Sequence, residues 1–487
     1  AQGGSEDPCE IGEHPPHWMC DAMLDVRTPS TTRPPAAPSA APRLTYQPAL
    51  DGLRGVAVLG VLAYHAGIDA LGGGFLGVSA FFTLSGVLIT SLLLTEKADT
   101  GAVALGSFWG RRIRRLLPAA VLTIVATTVL AALVADDSQL ARLRVDALAS
   151  LFHVSNWRFI AGGDSYGALF ESPSFFRHFW SLAVEEQFYL VFPLLVTGGL
   201  AVLRLRGFRV ALGLATVAAV AWPVALAAGG ASTDRLYFGT DARLAEMLVG
   251  AAFAMWWVRR DRTSSVGRPV MVSAAAGAAL VMLAVMWTTA HPDDGYLYRG
   301  GLALHAGLML VVIAAAVAPR GPVRAALSFE PLRRLGVVSY GVYLFHWPML
   351  LVLEQETSLG AGPRFVVVTV VSTAMALLSY RFVEQPIRRG AAWAAPRRVW
   401  LVAPVSVAAA VLVLGVTAWR PPSEPPIDFA AAEQELAALL TEPTPVPTTA
   451  PPPSPSSVPP TTAPVRLAGF GDSTALTTGV GVARWGE

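Results

Sequence analysis

The chain has 487 residues, 53% hydrophobic and 14% charged, with a formal net charge of +2 and a mean hydropathy of +0.51. A soluble domain carries nearer a quarter charged residues, which argues against an ordinary soluble enzyme and against a disordered protein. The apolar residues come in continuous blocks of about 17–25, the length that crosses a hydrocarbon core about 30 Å thick, and unbroken blocks mean helices rather than a barrel. There is no basic face on a soluble domain of the kind that binds nucleic acid.

Residues 1–45 lack the charged start and apolar run of a secretory signal. Their Pro, Ala, Thr and acidic residues read as a disordered tail. The two cysteines, Cys9 and Cys20, lie there and imply no disulfide framework. With His14 and His17 they make a C-x4-H-x2-H-x2-C spacing suited in principle to zinc. The Pro-rich, coreless context argues against a site, and no metal is predicted.

Residues 46–420 hold the predicted membrane domain, an all-α polytopic bundle of about eleven helices. They fall near 53–70, 75–95, 116–135, 179–200, 208–229, 240–258, 269–288, 301–319, 335–353, 364–383 and 399–419. Arg greatly outnumbers Lys and sits between the apolar blocks. With the N-terminus in the cytoplasm, the inward loops hold Arg111, Arg112, Arg114 and Arg115, then Arg204, Arg206 and Arg209, then Arg259, Arg260, Arg262 and Arg268. Arg320, Arg324, Arg333 and Arg334 follow, and finally Arg388, Arg389, Arg397 and Arg398. The short outward loops near 230–239, 289–300 and 354–363 carry only Arg235 and Arg299. This asymmetry follows the positive-inside rule, and an odd helix number puts the C-terminus outside. The longest outward connection, 136–178, includes an amphipathic stretch at 139–160 expected along the membrane surface. No internal repeat is visible, which weakens an inverted-repeat transporter.

Residues 421–465, crowded with Pro, Thr, Ser and Ala, read as a stiff extracytoplasmic linker. They lead to 466–487, where a strand at Arg466–Phe470 is expected to run into a turn bearing Ser473. That placement suits a nucleophilic serine, but about twenty residues cannot make a domain, so the sequence is expected to be cut inside one.

Polar residues inside apolar helices each need a reason. Arg54 and His65 lie eleven residues apart, hence on nearly one helical stripe, separated by about 16 Å of rise. That spacing predicts Arg54 at the cytoplasmic mouth and His65 near the midplane, where a neutral imidazole can take a proton from a hydroxyl. A structural histidine bound to a neighbouring helix is the alternative. His178, Glu185 and Tyr189 share a face of the fourth helix, with Ser181 beside it. Of Glu185 and Glu186, at least one is expected to meet a cation or hold a proton. Tyr343 and His346, three apart, face the same way, and Glu384 is expected to pair with Arg381, Arg388 or Arg389. Arg112 and Arg115 would project together at a helix start, with Pro118 in the first turn of the next helix. Such a cluster suits a phosphate, although topology signals are the commoner use of Arg clusters.

Together these motifs resemble the membrane acyltransferase 3 family, and within it the bacterial subgroup with a C-terminal SGNH-type domain. An Arg-x2-Ala pattern ending in His matches Arg54, Ala57 and His65, and GGFLGV–FF–LSG–LIT matches residues 73–90. Phe-x2-Arg-Arg-x2-Arg-x2-Pro matches Phe108, Arg111, Arg112, Arg115 and Pro118. His-x-Trp-Ser-Leu-x2-Glu-Glu-Gln-Phe-Tyr matches residues 178–189 in full. The remaining two motifs run from Ser339 to Pro348 and from Arg381 to Arg388.

The resemblance implies transfer of an acyl group, usually acetyl, from cytoplasmic coenzyme A to a hydroxyl of an extracytoplasmic, cell-envelope glycan or similar acceptor. It makes the chain a bacterial plasma-membrane O-acyltransferase, with acetyl-CoA as donor substrate. It makes His65 the expected base or transient acyl carrier, supported by Arg54 and Glu185. Arg112 and Arg115, with Arg111 beside them, become the donor's phosphate contacts. His178, Ser181, Tyr189, Tyr343 and His346 become the substrate pathway, and Ser473 the nucleophile position of the SGNH-like segment. Position 79 departs from the pattern: Ser79 stands where many members carry Asp. A transporter of a glycan or lipid-linked substrate, or an inactive scaffold, are the competing readings.

Overall fold

A computed structural model describes residues 46–163, 173–257, 269–389 and 402–419. The predicted tail, the linker, the Cys9–Cys20 cluster and the segment with Ser473 lie outside the described residues.

The described residues are helical, without a strand. In chain order the helices are α1 (Pro48–His65), α2 (Leu76–Thr100), α3 (Leu105–Val134), α4 (Asp137–Leu151), α5 (Ser155–Gly162) and α6 (Phe179–Val202). Next come α7 (Arg204–Ala228), α8 (Thr233–Phe238), α9 (Thr240–Trp257), α10 (Pro269–Thr289), α11 (Leu302–Val317), α12 (Pro322–Leu327) and α13 (Glu330–Val337). The last four are α14 (Ser339–Glu356), α15 (Ala361–Ser379), α16 (Gln385–Arg389) and α17 (Val402–Trp419). Each of the eleven predicted segments overlaps a helix among the described residues. By length and composition, seven helices among the described residues are apolar enough to cross a membrane, or eight if α13 and α14, bent by 74°, are one span. α9 carries Asp241, Arg243 and Glu246, so the charges in the segment hide it from a hydropathy test.

The helix ends have local causes. A capping box of Asp136 and Gln139 starts α4, and Gly101, at φ 78°, closes α2 in the left-handed region. Large apolar side chains on the perimeter, among them Leu190, Leu195, Val210, Leu214, Val217 and Val281, are exposed. A lipid-facing surface has this character, since acyl chains are as apolar as Leu.

Close packing inside comes from glycine. A Cβ at Gly86 of α2 would lie 2.0 Å from the Met247 carbonyl oxygen of α9, and one at Gly250 of α9 would lie 2.2 Å from the Thr83 oxygen of α2. Only a residue without a side chain allows these two backbones to touch. Across this contact, Arg243 and Glu246 of α9 form an ion pair at 2.8 Å, both essentially buried. Arg243 also donates to Ser79 Oγ at 2.9 Å and to the Tyr237 carbonyl at 3.3 Å. The rings of Phe82, Trp180 and Tyr237 surround its guanidinium at 5.2–5.5 Å.

Two expected helix limits are corrected. The first predicted helix was to run to residue 70, but α1 stops at His65, and the chain turns through Gly67, at φ 81°, and the Gly72–Gly74 run before α2. The third was to begin near 116 with Pro118 in its first turn. Instead α3 begins at Leu105 and Pro118 lies inside it. The amphipathic stretch at 139–160 forms two helices, α4 and α5, separated by a short turn in which His153 takes φ 56°.

Candidate active site

Helices α1, α2, α3, α6 and α14 surround a cavity with an empty volume of about 660 Å³, part of it open to the outside. Its charged walls are Arg54 from α1, Arg112 and Arg115 from α3, and Glu185 from α6. Three guanidinium groups thus face one carboxylate. None of the three arginines makes an ion pair within 4 Å among the described residues, and Arg54 Nε is buried without a hydrogen-bond partner. Arg112 lies 4.6 Å above the Tyr189 ring and 5.8 Å from that of Phe108. Aromatic faces can hold a guanidinium in place while leaving its N–H groups directed elsewhere.

Glu185 is held by hydroxyls rather than by a cation. Ser85 of α2 and Tyr189, one turn on along α6, both donate to its Oε1, the latter at 3.1 Å, and the two hydroxyls are 2.8 Å apart. Ser85 was not singled out in the sequence; a hydroxyl in an apolar stretch was the signal that could have found it.

At one end of the cavity Ser181 and Tyr343 meet with their hydroxyls 2.6 Å apart, and Tyr343 also donates to the His178 carbonyl at 3.0 Å. Beyond them three histidines gather. His346 Nδ1 lies 2.5 Å from the Tyr343 carbonyl, and His65 Nδ1 lies 3.0 Å from His346 Nε2. The His178 ring stands edge-on to those of Tyr343 and His346, with centroids 5.9 and 5.7 Å away. It is buried, and neither of its nitrogens has a hydrogen-bond partner among the described residues. Trp347 packs edge-on against His65 at 4.9 Å.

The structure therefore brings together nearly all the predicted residues, as two adjoining groups. Arg54, Arg112, Arg115, Glu185 and Tyr189 line the cavity. His65, His178 and His346 cluster behind the Ser181–Tyr343 pair. Three expectations are corrected. Arg111 turns away from the cavity: it is exposed and pairs with Glu96 at 3.1 Å. Arg112 and Arg115 lie within a continuous helix, so no helix N-terminus supports them. Glu384 hydrogen-bonds to Ser379 at 3.4 Å instead of pairing with Arg381 or Arg388, whose guanidinium lies over Tyr380; the Arg389 side chain lies outside the described residues. The paired Arg243 and Glu246 were overlooked, although two charges three apart in an apolar block were a signal. No group of three or more His, Cys, Asp or Glu suited to a metal ion occurs among the described residues.

Residues 47–381, which include every residue of both groups, match the acyltransferase 3 family, described as an acyltransferase domain. The chain belongs to the acyltransferase 3 family. It is 38% identical over 366 residues to the YrhL protein of Bacillus subtilis strain 168, covering 73% of this chain and 57% of that one. It is 36% identical over 350 residues to the O-acetyltransferase OatA of Staphylococcus aureus strain NCTC 8325, covering 71% and 57%. To the peptidoglycan O-acetyltransferase OatA of Listeria monocytogenes serovar 1/2a it is 37% identical over 350 residues, covering 71% and 56%. The matched part thus spans little more than half the length of these acyltransferase 3 relatives. No solved structure matches the chain.

Proposed function

We propose that this acyltransferase 3 chain is a membrane O-acetyltransferase. In this reading it moves an acetyl group from cytoplasmic acetyl-CoA to a hydroxyl of cell-envelope glycan, with peptidoglycan the acceptor suggested by the relatives' names. The observation that carries the reading is the charge imbalance of the cavity, three guanidiniums to one carboxylate, next to a cluster of three histidines of which His178 and His346 are buried. An anionic ligand suits the first group, since charge-assisted hydrogen bonds to phosphate are the strong ones. A general base or acyl carrier suits the second.

In the step that follows, Arg54, Arg112 and Arg115 hold the phosphates of the donor, and its thioester arm passes the Ser181–Tyr343 pair. The His65 imidazole takes the proton of the acceptor hydroxyl as that oxygen attacks the thioester carbonyl carbon. The new C–O bond forms, the C–S bond breaks, and the coenzyme A thiolate leaves and recovers the proton. Glu185, fixed by Ser85 and Tyr189 rather than by a guanidinium, leaves the arginine N–H groups open to the donor's phosphates. Eleven spans, with the N-terminus in the cytoplasm and the C-terminus outside, would put the arginine cavity on the donor's side and the histidines toward the acceptor.

The test is acetyl transfer by the purified chain in lipid nanodiscs, from radiolabelled acetyl-CoA to peptidoglycan strands. Labelled glycan from wild type and none from His65→Ala is the expected result. Donor binding without any transfer would favour a scaffold, and neither binding nor transfer would favour a transporter.

A further inference from the structure

Which nitrogen of His65 does the chemistry is decided by its neighbours. We infer that His346 is a positioning residue: it fixes the tautomer of His65 so that Nε2, not Nδ1, takes the proton of the acceptor hydroxyl. The inference rests on the acyl transfer proposed above.

The chain of hydrogen bonds starts at a group with no choice. The Tyr343 carbonyl only accepts, so the hydrogen between it and His346 Nδ1 belongs to the imidazole. A neutral imidazole carries one N–H, so His346 Nε2 is an acceptor. The nitrogen 3.0 Å from it, His65 Nδ1, must then be the donor. His65 Nε2 is left without a proton and presents a lone pair, as a base or nucleophile requires.

The surroundings hold this arrangement. His346 is fully buried on α14, and the two rings are nearly parallel, 22° apart, with centroids 5.2 Å apart. Trp347 bounds the His65 ring on another side and is itself anchored by its indole N–H to the Ser174 carbonyl at 2.8 Å. When Nε2 takes up a proton, the existing Nδ1–H···Nε2 bond to His346 becomes charge-assisted and strengthens. His346 therefore favours the imidazolium formed during transfer while adding no charge of its own.

Two measurements test this. In acetyl transfer by nanodisc-embedded full chain, with radiolabelled acetyl-CoA and peptidoglycan strands, His346→Met should lower kcat by about 100-fold, within the range of general-base effects. The KM for acetyl-CoA should stay within about twofold, because the arginine cavity lies across the Ser181–Tyr343 pair. His346→Gln, whose amide oxygen can accept the same hydrogen bond, should return kcat to within about tenfold of wild type. A wild-type kcat in His346→Met, or a His346→Gln as impaired as His346→Met at equal thermal stability, would overturn the inference. Inactive His65→Ala beside normal His346→Met would overturn it while leaving His65 as the base. A wild type that transfers nothing would overturn the proposed function as well.

The second measurement needs no variant at His346. Nitrogen-15 NMR of histidine-labelled protein in lipid, with His65→Ala to assign the signal, should find His65 protonated at Nδ1 and unprotonated at Nε2. The opposite tautomer would refute the role given to His346.

Discussion

Arg111 and Arg115 are arginines one turn apart on the same helix, yet their removal should have very unequal consequences. Arg115 lines the cavity with no carboxylate partner within 4 Å. Arg111 is 47% exposed by side chain and tied to Glu96. A hydrogen bond to a charged group contributes about 1.5–3 kcal/mol, and each 1.4 kcal/mol is tenfold in affinity. Arg115→Gln, which keeps the length and removes the charge, should therefore weaken acetyl-CoA binding by roughly 10–150-fold. Arg54→Gln and Arg112→Gln should act similarly, and the double variant of Arg54 and Arg115 should be non-additive, because both would bind one ligand. Arg111→Gln gives up only a surface pair of about 0.2–1 kcal/mol in stability and should leave binding within about twofold. Equilibrium binding of labelled acetyl-CoA in nanodiscs, at two ionic strengths, measures this, and rising salt should weaken the wild type most. Equal losses in Arg111→Gln and Arg115→Gln would refute the assignment of the cavity, since the two lie one turn apart on α3 and differ in that Arg115 lines the cavity while Arg111 is tied to Glu96.

Further outcomes follow from other contacts. His65→Ala should abolish acetyl transfer while acetyl-CoA still binds with wild-type affinity in the same assay, because the arginines bind the donor in this scheme. Gly86→Ala places a Cβ 2.0 Å from the Met247 oxygen, so α2 and α9 must separate. Such overpacking should cost about 1–3 kcal/mol or more, read as a lower midpoint of thermal unfolding in detergent, whereas Gly213→Ala on α7, with nothing within 4 Å of its Cβ, should not lower it. Arg243→Met strands Glu246 in the interior, and breaking a buried pair in this way costs about 3–5 kcal/mol, measured in the same unfolding experiment.

Much of the helical framework is legible because its signal is local. A block of about 20 apolar residues has few other stable states in a bilayer, and each predicted segment overlaps a helix among the described residues. The limits were less legible where the signal was not hydropathy. The stretch before Leu116 is rich in arginine, so an apolar window passes over it, yet α3 runs through it from Leu105. The end of α1 is set by backbone geometry at Gly67 and the glycine run after it, which the apolar pattern does not encode. Tyr343 and His346 were visible as a pair because three residues bring them to one face. The contact of His65 with His346 spans 281 positions and has no periodic signature. Nor could spacing separate Arg111 from Arg112, since both lie within a turn of Arg115; the packing of α3 decides which one meets the cavity.

Ser79 is the clearest departure from the family pattern, and its contacts say what kind of departure it is. It is fully buried on α2, accepts from Arg243, and does not line the arginine cavity. The Arg243 charge is already met by Glu246 and by three aromatic faces. A hydroxyl at position 79 thus supplies the acceptor that the guanidinium still needs without adding a second buried negative charge. This contact helps hold α2 against α9, away from the arginine cavity. Ser79→Ala leaves a hydrogen bond to a charged donor unmade, which should cost about 1–3 kcal/mol of stability. The acetyl-CoA KM and the kcat of the folded fraction should stay within about twofold, since no transfer step is assigned to this hydroxyl. Thermal unfolding and steady-state transfer on the same preparation separate the two quantities. Unchanged stability with lost turnover would show that Ser79 takes part in the chemistry, and the packing role argued for it would be wrong.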